Sequence, residues 1–199
     1  MSPRPSFYRA PLALAAVLAF LAVSGAWAQT PEGTVITNTA TVTYSDANSG
    51  AYAPVSASAS VTVGFVGGIS VSGAVSVSPA SPSTADTLYF TYTNLGNGND
   101  SLRVTESISV GGVIAVTGYR VNATTYGSLG ALNTALQGIL VAQSGTLQIK
   151  VVYDVATGMG GVPTNYSLAG FSRRDGSKTQ TATTIIFPAI TAGVDVTPD

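Results

Sequence analysis

Over most of the chain beyond residue 33, apolar and hydroxyl-bearing residues alternate one by one. A period of two is the signature of a strand with one packed face. In residues 34–44, Ile36, Ala40, Val42 and Tyr44 fall on one side and Thr37, Thr39, Thr41 and Thr43 on the other. After a turn at 45–50 (SDANSG), Ala57, Ala59, Val61, Val63 and Phe65 alternate with Ser56, Ser58, Ser60 and Thr62. These two runs predict a hairpin with one apolar and one hydroxyl face. Its threonines favour strands through their branched Cβ and meet water without carrying charge.

Gly67-Gly68 interrupts the pattern, and further strands are expected at 69–78, 87–94, 101–110, 113–121, 146–155, 165–172 and 179–187. The joints carry turn chemistry. Pro79 and Pro82 stop one strand, Gly96-Asn97-Gly98-Asn99-Asp100 reads as a hairpin loop, and Asp175-Gly176 turns between the last two strands. Helical spacing shows at 129–143, where Leu129, Leu132, Leu136 and Leu140 recur at three and four residues. Gly130 and Gly138 weaken it, leaving a short helix or a packed loop crossing between sheets. About nine short strands with one packed face point to an antiparallel sandwich. A membrane barrel would need strands of ~9–11 residues with lipid-facing bands and aromatic girdles, and aromatic residues are only 8% of this chain.

Composition narrows the chemistry. Charged residues are 9% of the 199, with no cysteine and no histidine. That excludes disulfides, thiolate nucleophiles, zinc-finger clusters and a Ser-His-Asp triad. Residues 1–28 have the layout of a secretory signal: Arg4 and Arg9, an apolar stretch at 12–23, and Ala26-Trp27-Ala28 before Gln29. The apolar stretch is shorter than the ~20 residues of a spanning helix. The expectation is cleavage after Ala28, a periplasmic, extracellular or cell-surface location, and no membrane span afterwards. The remaining 171 residues carry six bases against nine acids. Without a basic stripe, nucleic acid is not an expected partner.

Three stretches carry a resemblance. Residues 33–46 (GTVITNTATVTYSD) resemble the opening of many exported bacterial surface proteins with Ig-like conserved repeats, the type filed as domain of unknown function eleven. Residues 88–100 (LYFTYTNLGNGND) are similar to the strand and Asn-Gly-Asn turn of such repeats, and 145–154 (GTLQIKVVYD) to the strand after their central loop. The resemblance implies an Ig-like fold and a structural or adhesive role at the envelope, with no catalytic residues. The expected architecture is thus all-β: a signal peptide at 1–28, an N-terminal β-hairpin segment at 29–66, an Ig-like antiparallel β-sandwich at 69–188, and a tail at 189–199. The tail segment 193–198 (GVDVTP) echoes 74–79 (AVSVSP). It reads as a truncated repeat, a free terminal strand, or a disordered end.

Residues 170–179 (GFSRRDGSKT) have five residues between the glycines and a serine before Lys178, unlike a phosphate loop; a hairpin turn is expected. Lys150 shares parity with Gln148 on the solvent side, so a surface charge is expected rather than activation of a serine. Glu106 shares parity with Leu102, Val104 and Ile108, on the apolar side, and is expected to reach water, Arg103 or Arg120 from a strand end. Asp46 with Asn48, and Asn97 with Asn99 and Asp100, make oxygen-rich loops. Calcium wants six to eight oxygens, so these read as turn formers. The triplets at Asn99, Asn122 and Asn165 match a glycosylation pattern that a Ser/Thr-rich chain produces by chance.

No catalytic, cofactor or metal site is therefore expected. The leading expectation is a non-enzymatic envelope protein acting through sheet edges or sandwich faces, with itself or other surface proteins as partners. Strands without lysine leave edges open to pairing, which singles out 34–44 and 193–198. The alternatives are a pilus-like filament subunit, or an adhesin-like module binding glycans through Tyr89, Tyr92, Tyr119, Tyr126, Tyr153 and Tyr166.

Overall fold

The computed structural model describes residues 29–46 and 48–190. The proposed signal at 1–28 and the terminal segment 193–198 lie outside the described residues. Eleven strands and one helix follow in order: β1 (Val35–Val42), β2 (Val55–Thr62), β3 (Ile69–Gly73), β4 (Ser76–Val77), β5 (Ser83–Asn94), β6 (Leu102–Ile108), β7 (Ile114–Val121), β8 (Thr124–Tyr126), α1 (Leu129–Gln137), β9 (Thr146–Val155), β10 (Thr164–Ser172) and β11 (Thr179–Ile186). They form a two-stranded hairpin β1-β2, a four-stranded sheet β4-β11-β10-β6 and a five-stranded sheet β3-β5-β9-β7-β8. Every pairing is antiparallel except the two-residue contact of β4 with β11. The protein is an Ig-like antiparallel β-sandwich preceded by a β-hairpin.

Parity along each strand builds the core. In β9, Leu147, Ile149, Val151, Tyr153 and Val155 point inward and meet Leu88, Phe90 and Tyr92 of β5 on the same face. The opposing sheet contributes Leu102 and Val104 of β6, Tyr166 and Leu168 of β10, and Ile186 of β11. Phe90 and Tyr166 meet at 5.7 Å between ring centroids, a tilted geometry that suits the quadrupoles of two aromatic rings. Most of the folding free energy comes from removing these side chains from water.

Three sequence expectations change. The single run at 69–78 is two strands in different sheets: β3 pairs with β5, and β4 with β11. At Gly73 a Cβ would lie 2.8 Å from the Phe90 ring, so the chain leaves the first sheet where only glycine fits. Thr184 then donates its hydroxyl to the Ala74 carbonyl at 2.7 Å, guiding the crossing. Second, the Asn-Gly loop at 95–101 does not close a hairpin, because β5 and β6 belong to opposite sheets. Asp100 instead bridges to Val141 through paired backbone hydrogen bonds.

Third, the helix ends at Gln137 rather than running towards 143. Ser128 caps its start, accepting from Ala131 N at 3.2 Å, and Gly138 occupies its end. Leu132 and Leu136 are buried while Leu140 is exposed. The helix leaves and returns to the same sheet, and lies against edge strand β6. Asn133 both accepts from Val104 N and donates to Val104 O, each at 2.8 Å. Pairing that edge with a side chain shields it from other strands. No helix among the described residues is long and apolar enough to cross a membrane.

Candidate interaction arm

The hairpin β1-β2 projects from the sandwich as an arm. Its eight cross-strand pairs run without a break from Val35↔Thr62 to Val42↔Val55, and every residue of both strands is exposed. The alternation seen in the sequence becomes two distinct faces. On one, Thr37, Thr39 and Thr41 pair with Ser60, Ser58 and Ser56 through hydroxyl hydrogen bonds of 2.8–2.9 Å. On the other, Ile36, Ala40 and Val42 oppose Val61, Ala57 and Val55. Ile36, Val42, Val55 and Val61 are 52–63% exposed.

At the tip, the Tyr44 and Tyr52 rings stack at 5.1 Å and 17°. They border an open depression of about 470 Å³ with Pro54. Asp46 closes the turn by accepting from Asn48 N at 2.9 Å and Gly50 N at 2.7 Å through one oxygen. That local turn chemistry is the role the sequence indicated for this loop.

A two-stranded hairpin is marginal by itself in water, and this one is held at its root. Asn97, only 3% exposed, reaches the segments on both sides of the arm. Its side chain accepts from Val66 N at 2.7 Å and donates to Gly64 O at 2.9 Å and Thr30 O at 3.2 Å. Its backbone adds bonds to Val66 O and Glu32 N. Gly68 and Gly96 lie where these two backbones cross. A Cβ on either would come within 2.7 Å of the other segment's backbone, which explains the glycine break after the second run.

Arg174, from the β10–β11 turn, forms a fork with Glu32 at 2.5 and 2.6 Å and donates to Asn99 O at 3.0 Å. Its guanidinium also lies 3.8 Å from the centroid of Phe65, the last apolar residue of the arm's second run. The hydrogen bonds from Arg174 hold the Glu32 carboxyl below the ordinary carboxylate range. The pair sits at the surface, so it orients the root more than it stabilises it.

The other candidate residues are committed to the fold. Asp100 is fully buried and accepts from Ser101 N, Ser172 Oγ and Arg174 N. Glu106 faces inward as its parity requires, but it meets neither Arg103 nor Arg120. Its oxygens instead accept from Tyr119 OH at 2.5 Å and from Tyr166 OH. Because β7 and β6-β10 belong to opposite sheets, Glu106 ties the sandwich together. Glu106 and Asp100 thus have separate partners and do not form an acid–base pair. Lys150 faces outward, its ammonium 5.3 Å from the Tyr89 ring centroid. Residues 170–179 carry the end of β10, the turn at 173–178 and the start of β11, the hairpin turn expected.

Most of the tyrosines named for sugar stacking pack in the core, as their strand positions imply, and Tyr126 is partly buried against it. Tyr92, Tyr119, Tyr153 and Tyr166 are at most 3% exposed, whereas Tyr89 is half exposed. The sequence signal was present: Tyr92 shares parity with Leu88 and Phe90, and Tyr153 with Val151 and Val155. Tyr52 was missed because it lies in a turn outside any alternating run. Asn97 as a clamp had no local signal at all, since its partners are 31 to 67 residues away.

No protein-family model matches the chain, and neither does any curated protein. Among solved structures, it is similar to the secreted serine protease VesC from Vibrio cholerae, at 14% identity and a TM-score of 0.41, over 61% of this chain and 23% of that one. It is also similar to an ASH/PapD-like domain of human CEP192, at 10% identity and 0.36, over 62% and 86%. A third likeness is to the seventh ScaB type I cohesin from Pseudobacteroides cellulosolvens, at 10% and 0.31, over 66% and 99%. The match thus spans about a quarter of the length of VesC. None of these likenesses assigns a function.

Proposed function

We propose that this protein is a non-enzymatic structural module exported to the bacterial cell envelope, and that the β1-β2 arm is its interaction element. The observation that carries the reading is the arm itself: a regular hairpin, exposed on both faces, fastened at its root by a buried asparagine. Among the described residues no further strand lies beside its two long edges. Unpaired backbone N–H and C=O groups on such edges can receive a neighbouring strand. Export is supported by the signal-like layout of residues 1–28, and the envelope by the resemblance to exported repeat proteins.

Replacing residues 35–62 with a short Gly-Ser loop tests this reading. The sandwich core lies outside the deleted residues, so the variant is expected to keep the near-ultraviolet signature of its core tyrosines, losing only that of Tyr44 and Tyr52. It should pass from the envelope pellet to the soluble fraction on cell fractionation. Equal retention of the variant in the pellet would overturn the arm's role.

The stacked, half-exposed Tyr44 and Tyr52 favour a second reading, in which the tip stacks on a sugar ring. A glycan array should then give a signal that Tyr44→Ala abolishes. An array at background removes this reading.

A further inference from the structure

The apolar face of the arm gathers Ile36, Val42, Val55 and Val61 around the small residues Ala40, Ala57 and Ala59, with Tyr44 and Tyr52 beyond them at the tip. We infer that this face is occupied by the same face of a second copy, the two arms lying antiparallel about a two-fold axis near Asn38. This rests on the arm being an interaction element, and names its partner.

Charge decides the orientation. Between residues 34 and 64 the single charged residue is Asp46, at the tip. Strands of eight residues separate tip from root by roughly 27 Å at ~3.4 Å per residue. A parallel pair would set the two Asp46 carboxylates side by side. An antiparallel pair keeps them at opposite ends and sends each towards its neighbour's root. There the charges are already paired: Arg174 packs on Phe65 while forked with Glu32, and Lys178 and Asp175 lie together against Gly67. The arm thus brings one charge, at its tip, to an otherwise uncharged face, which suits a copy of the same apolar face better than a charged partner surface.

Area and polarity agree. The exposed fractions of the large apolar side chains, with the alanines between them, correspond to on the order of 700 Å² per arm, within the share each partner gives to a standard-size interface. The central alanines allow the two sheets close approach. Asn38 is the one amide in this face, paired across the hairpin with Ala59. Within a packed face an amide needs a partner. A two-fold axis beside it supplies its own copy, which can both donate and accept. The hydroxyl ladder stays outward, in water. One self-complementary face closes as a dimer and does not propagate.

Sedimentation velocity on the purified protein over about 1–200 µM tests this, with Asn38→Asp and Thr39→Asp alongside. Both positions are exposed, so neither change burdens the sandwich core. The expected result is a monomer–dimer equilibrium that Asn38→Asp weakens at least tenfold, by facing two carboxylates across the axis. Thr39→Asp, on the hydroxyl face, should leave it within twofold. A wild type monomeric throughout, open-ended polymers, or equal weakening by both variants would each overturn the inference. If the protein is monomeric yet loss of the arm still frees it from the envelope, the pairing falls and the interaction reading stands. If it is monomeric and loss of the arm changes nothing, both fall.

Discussion

Asn97→Ala removes three hydrogen bonds from the arm's root without touching the arm or the hydrophobic core. The lost bonds run to Val66 N, Gly64 O and Thr30 O. At about 1 kcal/mol net for each, the root is weakened by about 2–3 kcal/mol. The backbone bonds of residue 97 to Val66 O and Glu32 N remain, so the arm stays tethered but opens more often. At 1.4 kcal/mol per factor of ten, amide protection in β1 and β2 should fall roughly 30- to 150-fold. Amides shared by β5 and β9 should keep theirs, because the sandwich need not open. Hydrogen exchange read by mass spectrometry separates the two regions. An unchanged arm, or an equal loss of protection in β5 and β9, would refute the idea that Asn97 clamps an independent element.

Further outcomes follow from the core. Tyr92 is 1% exposed and its hydroxyl has no hydrogen-bond partner among the described residues, so Tyr92→Phe should be neutral or stabilise by up to about 1 kcal/mol in urea denaturation; a loss larger than that contradicts it. Glu106→Ala leaves the Tyr119 and Tyr166 hydroxyls without their carboxylate. It should cost about 3–6 kcal/mol by the same assay, with Glu106→Gln milder, because bonds to a charged group are each worth about 1.5–3 kcal/mol. Alkaline pH should unfold the sandwich. Burial pushes Tyr92 and Tyr153 up to about 12. It raises Tyr119 and Tyr166 further, with the bond to Glu106 adding to the effect. Since the unfolded value is about 10, the fold holds these protons more tightly. The stability they contribute is intact below pH 10 and is lost as pH climbs towards the folded values. Four such groups remove about 5–6 kcal/mol per pH unit, so tyrosinate absorbance and loss of β circular dichroism should appear together between pH 10 and 12. Ionisation of these four tyrosines in an intact sandwich would contradict the burial argument.

Periodicity made most of the strands legible, because a buried face imposes it residue by residue. Thr146–Val155 is one strand with the expected parity, and even the inward turn of Glu106 followed from that of Leu102 and Val104. Choices made between distant segments were not legible. Whether 69–78 stays in one sheet depends on the Phe90 ring at Gly73 and on the place of β11. The Asn-Gly loop at 95–101 has hairpin chemistry, yet its destination is set by which sheet β6 joins. The arm shows the same division. Its two faces are written in the alternation of residues 34–63, whereas the exposure of the apolar face depends on everything that does not pack there.

The absence of cysteine gives the central claim a direct measurement, since any introduced thiol is unique. Ala40→Cys places a label site on the apolar face of the arm, and Thr39→Cys one on the hydroxyl face. Maleimide labelling of intact envelopes should find the thiol at 40 protected and the thiol at 39 reactive, while dilute purified protein should expose both. Equal labelling at residue 40 in envelopes and in dilute solution would mean that the apolar face meets only water, and that the arm is not the element through which this protein assembles.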